Sequence, residues 1–337
     1  MAPVANAYSP KEFQVWIAED NSNAGASGIS DSAMHQLDVD SVGFPSLNVN
    51  QALDVRNGSG HTFKAEDFFQ DNKIRVTELS ISGTLHSDDG HKLLAYNISG
   101  ETSGDAVIGT GHKLVSQKYG ASATNSASSL TVVIKSSDHS NQTSLELFGC
   151  VVTNLSISAD SATEGGRYKF SATLQTGKVP HLAESSTACG NSVYANSTAP
   201  LLSNASSFQV KGIDVIMSSF TATIDYPAVF TGQSSTGYEV VSRGAECAGT
   251  VDTQVKYDGN TKSLVNDFDT QTAAFAGNPS TPTYMFNITN NNAFGVEVDN
   301  GVFTNVAYSE GDIMMLDCSI KSVDDGTDPL ITLDITG

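Results

Sequence analysis

The chain has 337 residues, 39% of them apolar and 16% charged, which excludes a disordered polymer and is long enough for two domains of ordinary size. Seventeen Lys and Arg stand against thirty-seven Asp and Glu, a formal net charge of −20. That balance excludes a basic groove gripping nucleic-acid phosphates and attraction to an anionic membrane surface.

The first residues, MAPVANAYSPKEFQVWIAED, lack a basic start followed by an apolar run, so no secretory signal is expected. No window approaches the ~20 apolar residues of a membrane helix. FQVWIA (13–18), with the single Trp16, reads as a strand, and DVDSVGFPSLNVN (38–50) opens another. The polar segment 51–77 reads as an extended hairpin loop carrying Arg56, His61, Lys64, Glu66 and Asp67. Leu79, Ile81, Gly83 and Leu85 then alternate with Ser80, Ser82 and Thr84, the period of a strand with one buried face. The turn SDDGH leads into a short helix, HKLLAYNI (91–98). His86, Asp88, Asp89 and His91 could bind a divalent ion, but a turn and an acidic helix start explain them better, and no metal is expected. A polar insertion, 101–128, reads as a loop before the strand SLTVVIKS (129–136). In LELFGCVVTNLSISAD (145–160), Val151, Thr153, Leu155 and Ile157 point one way and Val152, Asn154, Ser156 and Ser158 the other. YKFSATL (168–174) is the next strand, and 179–207, rich in Ser, Asn and Ala, an irregular connector.

The second half repeats this plan. FTATID (220–225) is the only counterpart of FPSLNVN, and 228–245 is a second hairpin loop, with Tyr238 and Glu239. CAGTV (247–251) answers ISGTL (81–85), so that Gly249–Thr250 match Gly83–Thr84. YDGN and the helix TKSLVNDF answer SDDGH and HKLLAYNI, and TYMFNITN (283–290) answers SLTVVIKS. VEVDNGVFTNVAYSEG (296–311) answers LELFGCVVTNLSISAD, with Glu146, Val151, Thr153 and Asn154 matching Glu297, Val302, Thr304 and Asn305. IMMLDCSIK (313–321) answers YKFSATL, and DDGTD (324–328) reads as the turn of a hairpin to 330–335. The division expected is therefore 1–178, a connector 179–207, and 208–337.

Little in the chain suggests chemistry. Cys150, Cys189, Cys247 and Cys318 form no CxxC pair or zinc spacing and read as reduced, mostly buried residues. No nucleophile elbow or phosphate loop is present, so neither an enzyme nor a cofactor is expected. The NxS/T triplets at Asn57, Asn97, Asn141, Asn154, Asn196, Asn204 and Asn287 are expected by chance in so Asn- and Ser-rich a chain.

DVDSVGFPSLNVN, TELSISGTL before HKLLAYNI, and FGCVVTNLSISAD before GGRYKFSATL together resemble the major tail tube proteins of long-tailed, non-contractile bacteriophages. The resemblance implies a mainly β chain of two tandem β-sandwich or partial-barrel domains, each with a short flanking helix and a long hairpin loop. It implies a structural virion protein of the tail, assembled in the host cytoplasm. Three chains would form a ring of pseudo-sixfold symmetry, and stacked rings a channel for DNA ejection. Its other partners would be tape-measure, terminator and baseplate proteins; DNA would pass without specific binding, and no membrane would be involved. Asn154, Ser156, Ser158, Glu297, Asp299 and Asn305 are candidate channel-facing residues. The two loops, with Arg56, His61, Lys64, Glu66, Asp67, Tyr238 and Glu239, are candidate contacts between rings. A tail terminator, a head decoration protein and a carbohydrate-binding adhesin remain as alternatives.

Overall fold

A computed structural model describes residues 10–20, 33–45, 51–53, 68–70, 76–99, 112–114, 129–136, 144–183, 189, 199–232, 238, 240–242, 247–269, 284–290, 294–323 and 330–335. The fold is mainly β, and every strand pairing is antiparallel. The first half carries β1 (Phe13–Asp20), β2 (His35–Leu37), β3 (Val39–Gly43), β4 (Gln51–Leu53), β5 (Phe68–Gln70) and β6 (Thr77–Thr84). Then come α1 (Asp89–Ser99), β7 (His112–Leu114), β8 (Ser129–Ser136), β9 (Ser144–Asp160), β10 (Lys169–Thr176) and β11 (His181–Ala183). The second half carries β12 (Ser207–Val210), β13 (Ile213–Asp214), β14 (Met217–Asp225), β15 (Val229–Thr231), β16 (Val240–Ser242) and β17 (Ala248–Lys256). It ends with α2 (Lys262–Asp269), β18 (Phe286–Asn290), β19 (Phe294–Val298), β20 (Gly301–Ser309), β21 (Met315–Ser322) and β22 (Ile331–Ile335).

The two halves repeat one topology. In the first, β3, β6, β10 and the second part of β9 lie side by side; in the second, β14, β17, β21 and β20 do so in the same order. A second sheet runs β2-β1-β8-β9-β11 in one half and β13-β12-β18-β19-β22 in the other. Registers repeat as well. Val132 faces Leu147 as Phe286 faces Val298, and Lys169 faces Ser158 as Met315 faces Ser309. Even the irregularities recur. A bulge skips Thr153 in β9 and Thr304 in β20, and each threonine hydroxyl donates to the carbonyl opposite, Thr173 or Ser319, at 3.2 Å. Another skips Asp40 and Ser218.

The hydrogen bonds correct one expected match. Thr84 N–H donates to Asp38 O as Lys256 does to Ile216 O, and Leu85 N–H to Tyr168 O as Tyr257 does to Met314 O. The partner of ISGTL is therefore TQVKY (253–257), six residues beyond CAGTV. The DDGTD hairpin is also overturned: β21 pairs with β17 and β20, whereas β22 joins β19 in the other sheet. Asp324–Asp328 themselves lie outside the described residues. The stretch expected to be an irregular connector holds β11, the counterpart of β22. Within the 101–128 insertion, β7 extends the second half's sheet by pairing with β22.

One apolar core serves both halves. Tyr168 stacks edge-on against Phe294 (4.5 Å between centroids) and Phe220 (5.5 Å), joining β10's approach to β14 and β19. From Asn154 onward β9 alternates as expected, but the bulge reverses the expected facing upstream of it: Val152, opposite Leu174, shares the face of Leu155, and Val151, opposite Gln175, lies on the other, although both are buried. Strand β9 continues through a bend at Gly149 (φ +60°), a left-handed conformation suited to glycine, and so belongs to both sheets. Its counterpart is broken in two at Asp299–Asn300.

Both helices start on the same cap. Asp88 Oδ1 accepts from His91 N–H (3.0 Å), and Asp258 Oδ1 from Thr261 N–H (3.2 Å). The His91 ring reaches the same Asp88 oxygen at 2.7 Å, and buried His86 lies 2.8 Å from Asp38 Oδ2, so this group ties the helix start to the edge of β3.

Candidate functional site

The two four-stranded units are not separate. The second part of β9 pairs with β14 from Asn154↔Asp225 to Asp160↔Ser219. The result is a continuous sheet in the order β3-β6-β10-β9-β14-β17-β21-β20. Its inner face carries Ile81, Phe170, Ala172, Leu155, Ile157, Phe220, Ala222, Val251, Leu316 and Ile320, all buried. Period-two alternation then places every polar partner on the opposite face.

That face reads as rows across the strands. One row runs Ser41, Ser82, Ser171, Ser156, Thr223, Thr250, Lys321 and Val302. The next runs Thr84, Lys169, Ser158, Thr221, Asp252, Ser319 and Asn305. Cross-strand hydrogen bonds hold these side chains flat. Ser319 donates to Asp252 (2.6 Å), Gln254 to Asp317 (2.8 Å), Gln175 to Glu78 (3.0 Å) and Thr223 to Ser156 (3.2 Å). Glu78, Asp160, Asp225, Asp252 and Asp317 place carboxylates on this face, with those of Asp40 and Glu164 reaching it at Lys169, alongside the ammonium groups of Lys169, Lys256 and Lys321.

Lys169 is held by three side chains of its own chain. It bridges Glu164 (2.7 Å) and Asp40 (2.9 Å) and donates to Thr84. Burial pulls its pKa down, but the Glu164 and Asp40 contacts outweigh that and leave it raised. This cation is spoken for by carboxylates of its own chain.

The predicted residues separate into two groups. Asn154, Ser156, Ser158 and Asn305 lie together on the polar face. Glu297 lies on β19, opposite Asn287 and Thr332, and so belongs to the second sheet, whereas Asp299 sits in the turn between β19 and β20. There Glu297, then burial, then Asp299 raise the Tyr284 hydroxyl's pKa. Both predicted loops hold paired strands, β4 with β5 and β15 with β16. Arg56, His61, Lys64, Glu66, Asp67 and Glu239 lie outside the described residues. Tyr238 leans on its own chain, its N–H donating to Gly177 O (2.9 Å) and its ring 6.2 Å from Phe230. Sequence reasoning missed Lys169, Thr221, Thr223, Asp252 and Asp317 as members of the face. Their strands alternate visibly, but nothing local says that β9 and β14 are neighbours.

Among the described residues no disulfide joins the cysteines; Cys150 and Cys318 are buried and Cys189 and Cys247 partly so. Burial and the adjacent Asp317 push the Cys318 thiol up to about 12. No described helix is long and apolar enough to cross a membrane. No protein-family description matches the chain, and no curated protein matches it.

Proposed function

We propose that the chain is a major tail tube subunit of a long-tailed, non-contractile bacteriophage, a structural and non-catalytic protein of the virion. The observation that carries this reading is the eight-stranded sheet built from two equivalent four-stranded units, apolar on one face and polar on the other. Each chain supplies two equivalent sectors of wall, so three chains close a ring of pseudo-sixfold symmetry, and rings stack head to tail.

The polar face lines the channel. Its hydroxyls, amides and modest carboxylate excess offer DNA no array of cations. Binding that depends on releasing counterions from phosphates therefore has nothing to draw on, and the genome slides. Asn154, Ser156, Ser158 and Asn305 belong to this lining; Glu297 and Asp299 do not. The hairpins β4–β5 and β15–β16 with their loops make the contacts between rings. Tape-measure, terminator and baseplate proteins are the other partners, and assembly takes place in the host cytoplasm.

Electron microscopy of the purified, assembled protein tests this. Stacked rings with a central channel and three chains per ring by mass are expected. Six chains per ring, or monomers that bind glycans, would overturn it.

A further inference from the structure

The ring leaves open which surfaces join one chain to the next, and the internal repeat answers this. The geometry points to a seam between chains in which the outer edge of β20 pairs antiparallel with the outer edge of β3 of a second copy, in the register of β9 with β14. This rests on the ring reading above and adds the residues to it.

Three observations carry it. First, among the described residues β20 pairs only with β21, and β3 only with β6, so the eight-stranded sheet ends on two unpaired edges. Second, these edges are complementary. β20 is the counterpart of β9's second part and β3 of the start of β14, and β9 and β14 already join within the chain. Third, apolar side chains are exposed where the counterpart is covered. Tyr308 is 50% exposed and its counterpart Ile157 1%; Met314 is 45% exposed and its counterpart Tyr168 0%. On the other edge Phe44 is 47% exposed, whereas its counterpart Ala222 is 2%. What covers Ile157 and Tyr168 is the second half of the same chain. The second half of one chain is left needing the first half of another.

The internal pairs give the external ones. Ile157↔Ala222 becomes Tyr308↔Phe44, two aromatic side chains opposed on the core face. Ala159↔Phe220 becomes Glu310↔Val42, and Ser158↔Thr221 becomes Ser309↔Gly43 on the polar face. The contact is head to tail, so it closes a ring or runs on as a filament according to its rotation.

Paired cysteines test the register. Phe44→Cys combined with Tyr308→Cys, mildly oxidised after assembly, should give covalent trimers on a non-reducing gel. Either single variant should not, nor should Phe44→Cys with Ala307→Cys, whose sulfurs face opposite sides. Rings that form without this cross-link, or equal cross-linking by the off-register pair, would overturn the seam. The unaltered chain offers a second readout: amide exchange at 305–309 should slow roughly tenfold or more on assembly. Unchanged exchange in assembled rings counts against the seam equally. Covalent trimers that never stack into tubes would leave the seam standing and remove the tube; tubes lacking the cross-link would do the reverse.

Discussion

Tyr168 is fully buried at the joint between the halves, and its hydroxyl has no hydrogen-bond partner among the described residues. An unsatisfied buried hydroxyl costs about 1–3 kcal/mol. Tyr168→Phe keeps both ring contacts and should stabilise the fold by about 1 kcal/mol, read from urea denaturation at neutral pH. Asp88 is partnered through one oxygen: Oδ1 accepts from His91, while Oδ2, like the Tyr168 hydroxyl, has no hydrogen-bond partner among the described residues. Burial raises its pKa, but the hydrogen bond and charge of His91 outweigh this and hold the carboxyl below its ordinary 3.8. Its contribution is therefore fully present above pH 3.8 and lost as pH falls through the lower folded value. Asp88→Ala should cost about 1 kcal/mol at pH 6, a gap that narrows in acid. The role of Asp88 was legible because a cap is local: an Asp three residues before the expected helix start at His91 suffices. Its tie through the His86 group to Asp38, fifty residues away, was not. The buried Asn97 is another long-range case, its side-chain oxygen accepting from Val152 N–H (2.6 Å), which leaves no room for a glycan on that triplet.

At the scale of elements, strands and helices could be read from alternation and turns, and their partners could not. The mismatch of ISGTL with CAGTV shows why. A slip of six residues is even, so it leaves every side chain on its proper face, and period-two patterning cannot detect it. Only the hydrogen-bond register separates the alternatives. The corrected register pairs Gly83 with Val255, and the difference has a cause. A Cβ at Gly83 would lie 1.9 Å from the Asp38 carbonyl oxygen. Gly83→Ala should force β3 away from β6 and cost about 2 kcal/mol, measured by thermal or urea unfolding. The β21–β22 hairpin failed for a related reason. Both strands were visible, but a turn sequence does not say whether the chain folds back or crosses to another sheet.

At the scale of the molecule, duplication was legible, while the joining of its copies into one sheet was not. That joining decides the chemistry of the polar face, because it sets residues from distant strands in single rows. Replacing Ser156, Ser171 and Thr223, three neighbours in one row, with lysine would give a channel a cationic band. Assembled tubes of that triple variant should retain DNA at about 50 mM salt and release it near 200 mM, whereas the unaltered protein should not retain it at either. Equal retention by both would separate the polar face from DNA passage.

The bend at Gly149 and the break at Asp299–Asn300 bear on mechanics. In the first half one unbroken strand transmits load between the two sheets; in the second the load must cross a turn. A closed ring of three such chains would alternate three stiff sectors with three compliant ones. The inner and outer layers of the wall would then be coupled by three continuous strands and three turns, a threefold alternation laid on a sixfold repeat.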